Sequence, residues 1–311
     1  MGRLIETIEN TYLLRRDNHS LQKDTWRQVS CEYFPKLSPE TGAIPSRIIS
    51  REAGDLGLAM LWIVQASLIR GMASDINSST SEKGIPLTDI TPAPICALAH
   101  NDDRENPVIL AVGPVLNGAK RYITGGTTSD IIFVTAKEKP EDKISRLFAL
   151  RTADIPAGSL TELDLGCLKT VSHGRLTLSS YRPRADEIVS VDEKTLRRSI
   201  RRWSIIERSL ILQSFIGLIS YINDNVERET GSPIIGAKEI EAALQYADDT
   251  AAEQIAAAFR GGLIEEKNAD FGRIMGFVQA CNTFLEKNRH TLSENLRERF
   301  PDLNFMQKNR R

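Results

Sequence analysis

Glu207 is the residue in this sequence with the clearest chemical potential. It lies in Trp203-Ser204-Ile205-Ile206-Glu207-Arg208-Ser209-Leu210-Ile211-Leu212, a mostly apolar stretch. A carboxylate there is desolvated unless a cation pairs with it. Desolvation raises a carboxyl's pKa and suits it to accept a proton near neutral pH. An ion pair with an arginine is the structural alternative. Just upstream, Lys194, Arg197, Arg198, Arg201 and Arg202 recur at i, i+3 and i+4 spacing and share a helix face. That face suits a phosphate or an acidic partner surface, and equally a solvated helix side. His19, His173 and His290 have no metal-ligand spacing, and no metal site is expected. Cys31, Cys96, Cys167 and Cys281 stand far apart without a CxxC pair, which reads as reduced thiols in a cytoplasmic protein.

These residues need a scaffold, and the chain's texture describes one. Over residues 48–77, Ile49, Ala53, Leu56, Met60, Ile63, Val64 and Leu68 recur at helical spacing. Few residues in Leu56–Ile69 are polar, so it reads as a buried helix, and the longest apolar run, Leu58–Ile69, is interrupted by Gln65 and Ser67 and is too short to span a bilayer. Residues 1–35 suggest one or two short helices, and residues 78–92 a loop. From Ile95 to Val191 come β-like runs: ICALAH, VILAVG, KRYITG, IIFVTA, RLFALR, RLTLSSY and EIVSV. Turn signals separate them at Asn117-Gly118, Gly125-Gly126, Lys139-Pro140 and His173-Gly174. Asn117-Gly118 suits a type I′ hairpin turn. With no helical segment between the runs, a small antiparallel β-domain is predicted. Asp192 is a good N-cap, and helices are predicted over about Glu193–Arg228, Lys238–Phe259 and Glu265–Lys287. The tail PDLNFMQKNRR reads as frayed and basic. The fold class is thus α+β: a helical region (1–92), a middle β-domain (93–191) and a C-terminal helical bundle (192–311). With 40 basic and 41 acidic residues, the overall charge gives no reason to expect a nucleic-acid partner. No secretory signal is legible at the N-terminus.

The element order, together with Leu116-Asn117-Gly118-Ala119-Lys120 and Tyr122-Ile123-Thr124, resembles the acyl-CoA dehydrogenase family. Ser129-Asp130, Leu165–Lys169 with Gly174–Pro183, and Glu207-Arg208 with Gly217 extend the likeness over about residues 48–260. The resemblance implies bound FAD, an oligomer, and oxidation of the CH–CH group of an acyl thioester carried on CoA or a carrier protein. It implies that Tyr122, Ile123 and Thr124 form the strand beside the flavin, the aromatic packing on the ring and the threonine donating to its electron-rich edge. Glu207 falls where some members place the catalytic base. Arg228, with Gly231, Pro233 and Ile234, resembles the segment that holds the FAD diphosphate of a neighbouring subunit. The alternative for Arg228 is a solvated helix end beside Glu227 and Glu229.

Departures from the family pattern bear on function. Where members carry T-E-P-x-x-G-S-D, this chain reads His100-Asn101-Asp102-Asp103-Arg104-Glu105-Asn106-Pro107. Close backbone approach and a small hydroxyl donor are lost. His100 either replaces the missing threonine as a flavin donor or is simply a strand-end histidine. The stretch from Gly217 to Arg228 is shorter than the family's. The first helical region is reduced, and the family's last helices, Q-x-x-G-G segment and loop-borne glutamate are not found before Arg311. Two functions follow: a divergent FAD-dependent oxidoreductase, or a catalytically degenerate subunit that supports a complete partner or serves as a scaffold. An acyl-chain binding protein without redox chemistry is a third.

Overall fold

The computed structural model describes residues 2–33, 43–79, 94–103, 106, 109–111, 115–139, 141–260 and 271–305. Most of the loop expected over 78–92, the Gly261-Gly262 divider and the end of the tail lie outside them. The chain begins with α1 (Gly2–Asn10), α2 (Tyr12–Arg15), α3 (His19–Tyr33) and α4 (Ala43–Ala53). The helix predicted over 48–77 is broken after α4. Gly54 turns the backbone at φ 62°, and Asp55 caps the next helix, α5 (Leu56–Ile63), by accepting from the Leu58 amide at 2.8 Å. The same carboxylate takes Thr170 Oγ1 at 2.6 Å and Arg15 Nη1 at 2.5 Å. Periodicity alone hid this break because apolar residues continue on both sides of it.

After α5 the chain widens into a π-helical stretch, Val64–Ile69, and returns to α-geometry in α6 (Arg70–Ser79). Such insertions are rare and gather at functional sites. The polar interruption Gln65 has a specific role here. Its side-chain amide donates to the Cys96 carbonyl and accepts from the Cys96 amide at 2.8 Å, fastening this helix to the first strand.

Two sheets follow, made from β1 (Cys96–Ala99), β2 (Ile109–Ala111), β3 (Val115–Thr124), β4 (Ile131–Ala136), β5 (Arg146–Arg151), β6 (Leu160–Glu162) and β7 (His173–Tyr181). Their orders are β1-β4-β5 and β2-β3-β7-β6. The predicted antiparallel domain needs one correction: β1 and β4 run parallel. The intervening β2–β3 pair belongs to the other sheet, so the chain re-enters the first sheet from the same end. Leu116, Ile123, Leu176 and Leu178 of one sheet pack on Ala97, Ile132, Val134 and Phe148 of the other. The outer face of the first sheet meets the helices through Cys96, Phe133 and Leu147, so β4 is covered on both faces, as its unbroken apolar run requires.

Three further expectations are corrected. Asn117-Gly118 is not a hairpin turn but lies inside β3. Asn117 instead faces an extra residue on β7 and accepts from the Ser180 amide at 2.7 Å, with Ser180 at φ 52°. His173-Gly174 opens β7 rather than turning the chain. The run EIVSV is no strand; only Ile188 bridges to Phe148.

The second helical part is α7 (Glu193–Thr230), α8 (Ala237–Arg260), α9 (Phe271–Asn288), α10 (Glu294–Arg297) and a 3-10 turn, Phe300–Asn304. Asp192 caps α7 by accepting from the Thr195 amide at 2.9 Å, and Gly231 ends it at φ 79°. The tail is not frayed at Phe300–Asn304. Phe300 and Leu303 are buried, and Asp302 accepts from the Leu168 amide at 2.5 Å and the Tyr12 hydroxyl at 3.3 Å. The stretch Leu56–Ser79 and helix α7 are long and apolar enough to cross a membrane by composition, yet most of their apolar surface is packed inside the protein.

Helix α7 is the spine of the molecule, and its approach to α6 depends on a missing side chain. Gly71 lies against the indole of the buried Trp203, where a Cβ would overlap the ring. Gly71→Ala gains helix propensity near 1 kcal/mol, but forces Trp203 to move at a cost of about 1–3 kcal/mol. The expected net result is a lower urea midpoint with an unchanged m-value.

Candidate active site

A cleft of about 280 Å³ opens between the π-helical stretch, the ends of β1 and β3, and the first half of α7. Val64 and Leu68 form its apolar floor. His100, Asn101, Tyr122 and Thr124 come from the β-domain side, and Ser204, Glu207 and Arg208 from α7. Four residues singled out from sequence, His100, Tyr122, Thr124 and Glu207, therefore meet in one cleft. Ile123 is fully buried between the sheets and holds the strand from behind. Arg228 is not among them. It lies 21 positions beyond Glu207 on α7, about 31 Å along the axis at 1.5 Å per residue. There it is exposed and donates to Asn225 Oδ1 at 3.1 Å.

Tyr122 reaches the cleft because β3 is irregular. Between Lys120 and Ile123 the register against β7 shifts, so β3 carries one residue more than its partner. Tyr122 sits in that bulge at φ 59°, a left-handed conformation that costs a non-glycine residue about 1–2 kcal/mol. Its ring is half exposed, with the Arg121 guanidinium 5.0 Å from its centroid. Strain that aims a large aromatic at a cleft is a recurring mark of ligand sites. Thr124 resumes the ladder opposite His173.

His100 is positioned by a buried cation. Lys120 is wholly inaccessible and donates through Nζ to the His100 carbonyl at 3.1 Å, Asp102 Oδ1 at 2.5 Å and Thr135 Oγ1 at 3.2 Å. Burial opposes the charge of Asp102, but hydrogen bonds from Lys120 and Lys137 outweigh it and hold its pKa below the usual value. Burial, then the nearby Lys120 charge, lowers the His100 pKa to about 4. The imidazole is neutral at physiological pH, with Nδ1 3.4 Å from Thr135 Oγ1.

Glu207 is the opposite case. Its side chain keeps a little surface on the cleft, but protein surrounds it, and desolvation raises its pKa to about 7 against a small opposing effect from Arg208. Among the described residues it forms no hydrogen bond or ion pair through its carboxylate. The ion-pair alternative therefore finds no described partner. A carboxylate poised near neutrality on the wall of a cleft has the properties of a general base.

Sequence reasoning missed several contributors. Lys120 read as a hairpin letter and is instead the buried anchor of His100. The π-helical floor went unseen, although Gln65 within an apolar run was its signal. Asn101 and Ser204 carried no recognisable signal.

A helical layer, a two-sheet β-unit and a long helix bounding a cleft between them define a class: this chain has the acyl-CoA dehydrogenase fold. Its structure is similar to the prolyl acyl carrier protein oxidase AnaB (TM-score 0.67, 17% identity, 97% of this chain and 92% of that one). It is also similar to PigA in its FAD complex (TM-score 0.62, 12% identity, 99% and 95%). The butyryl-CoA dehydrogenase of Megasphaera elsdenii matches at TM-score 0.60 and 16% identity, over 85% of this chain and 76% of that one. No protein-family model and no curated protein matches the sequence.

Proposed function

We propose that this protein is an FAD-dependent oxidoreductase that desaturates the CH–CH group next to the carbonyl of an acyl thioester. One observation carries the reading: a carboxylate of raised pKa, without an ion-pair partner among the described residues, faces an aromatic and two hydrogen-bonding side chains across a single cleft. The cleft wall fits a flavin ring. Tyr122 offers a face for stacking, Thr124 offers a donor, and neutral His100 bonds without introducing a charge. The neighbouring loop is also compatible with an anionic cofactor. Its two carboxylates are neutralised by three cations, Asp102 by Lys120 and Lys137, and Asp103 by Arg175 at 3.0 Å. Arg175 Nε is buried without a partner among the described residues.

When bound, FAD supplies the acceptor for the hydride equivalent leaving the substrate. The chain's own task is proton removal. Glu207 takes the α-proton, and desolvation gives its carboxylate the needed basicity. Val64 and Leu68 exclude water from beneath the acyl chain. An acyl thioester on CoA or a carrier protein, an oligomer of like or related subunits, Arg228 as diphosphate ligand of a neighbour, and a cytoplasmic location complete the reading.

A second reading has its own support. Asp102 and Asp103 stand where a flavin-gripping segment is expected, which favours a subunit that kept the scaffold and lost the cofactor. FAD titration followed by flavin fluorescence separates the two. The oxidoreductase takes up FAD saturably, and Thr124→Val weakens uptake about 5-fold, equivalent to one neutral hydrogen bond near 1 kcal/mol. No uptake by the wild-type protein would leave the degenerate subunit standing.

A further inference from the structure

A second groove, of about 420 Å³, adjoins the cleft and shares His100, Ser204 and Arg208 with it. Its remaining walls are Lys137, Asp142, Lys143 and Ile144 from the β4–β5 connection, and Arg197, Ile200 and Arg201 from α7. Five cations therefore line it against one carboxylate. Lys137 is engaged by Asp102 at 2.9 Å, and Arg197 pairs with Glu193. Lys143 and Arg201 are exposed and have no ion-pair partner among the described residues. Arg202, also part of the basic run, is used structurally, holding Asp75 at 2.8 Å on α6.

The positive surface continues beyond the groove. Lys194, Arg198, Arg201 and Arg208 are all exposed on α7. From Lys194 to Arg208 this face extends about 21 Å at 1.5 Å per residue. A single phosphate needs one or two of these cations, whereas a face of this length matches the side of a small protein. The groove itself offers Ile144 and Ile200 to an aliphatic arm and cations to a phosphate, and among the described residues that line it there is no Phe, Tyr or Trp on which a nucleotide base would stack.

We infer that the basic face of α7 and the adjoining groove dock an acidic carrier protein, whose phosphate-linked thioester arm passes along the groove and delivers the acyl group to the cleft. This rests on the proposed function for the identity of the cargo, but the docking itself is a charge interaction independent of redox chemistry. Long-range attraction of this kind speeds association and weakens steeply with salt.

The test uses the full-length protein and a fluorescently labelled acidic acyl carrier protein bearing a phosphopantetheine arm. Its arm-free form and free coenzyme A serve as comparisons. Saturable binding of the armed carrier is expected, with affinity falling at least 10-fold in the triple charge reversal Lys143→Glu, Arg198→Glu and Arg201→Glu, and falling likewise as salt is raised. The single variants Arg198→Glu and Arg201→Glu, checked by circular dichroism, guard against a folding defect in the triple variant. Equal binding by wild type and reversals, no saturable binding of the carrier, or binding of coenzyme A alone would overturn the inference. FAD uptake is measured in parallel. Carrier binding without flavin uptake would retain the docking face and remove the oxidoreductase reading; flavin uptake without carrier binding would do the reverse.

Discussion

Glu207→Gln abolishes most of the turnover expected of this protein while leaving flavin uptake and fold intact. The glutamine keeps the size and hydrogen-bonding capacity of the side chain and loses only its ability to accept a proton. General-base catalysis typically contributes 10²–10⁴ in rate, so a fall of about that size in kcat is expected. In the wild type, Glu207 must be ionised to act. With a pKa of about 7, turnover rises with pH and levels off above that value, and the Gln variant loses this limb. Stability responds in the opposite direction. A carboxyl whose folded-state pKa is raised holds its proton more tightly when folded than when unfolded. Between the ordinary carboxylate range and about pH 7, the unfolded chain therefore binds fewer protons, and stability falls as pH rises. Burial of Asp302 likewise raises its pKa to about 7, so part of the slope persists in Glu207→Gln. The variant is expected to melt higher than the wild type at pH 8 and equally at pH 4. An unchanged kcat with a normal pH profile would remove Glu207 from the chemistry.

Lys120→Met carries the largest expected stability loss. The substitution keeps the apolar stem and deletes a charge that has no access to solvent. Breaking a fully buried pair costs about 3–5 kcal/mol, and because Asp102 is only partly buried the expected loss does not exceed the low end of that range. Lys137 remains 2.9 Å from Asp102, which places the loss toward the lower end. A chain of this size then melts about 4–5 °C lower. Adding Asp102→Asn removes the carboxylate charge that Lys120 balanced and is expected to restore part of the loss. The site responds too. Removing the Lys120 cation deletes one of the two main effects that depress His100, so its pKa, read by NMR, moves up from about 4. A small change in stability together with an unmoved His100 would contradict the anchoring role.

How much of this was legible beforehand follows from the range of each interaction. Helix α7, its Asp192 cap and its Gly231 stop are local, and they lie almost where the sequence places them. The β-texture between residues 95 and 181 was also local and readable. Strand pairing was not, because the parallel β1–β4 contact joins residues 35 positions apart, as in Cys96 with Ile131. Asn117-Gly118 misled for an instructive reason. The pair is a strong local turn signal, yet tertiary pairing with Ser180 absorbed it into a strand. Among the candidate site residues, Tyr122, Thr124, His100 and Glu207 were singled out by motif or by chemical context, and they line one cleft. Their supports, Lys120, Asp102 and Gln65, are defined only by contacts across the fold, which no spacing records.

The most direct measurement is anaerobic. FAD-loaded protein is mixed with a panel of straight- and branched-chain acyl thioesters on pantetheine arms while the visible flavin band is followed. The proposed function predicts that at least one thioester bleaches the band in the wild type, that Glu207→Gln carrying the same FAD does not respond, and that the α,β-unsaturated product is recovered. A flavin band that persists across the panel, or that bleaches equally fast in Glu207→Gln, would contradict it.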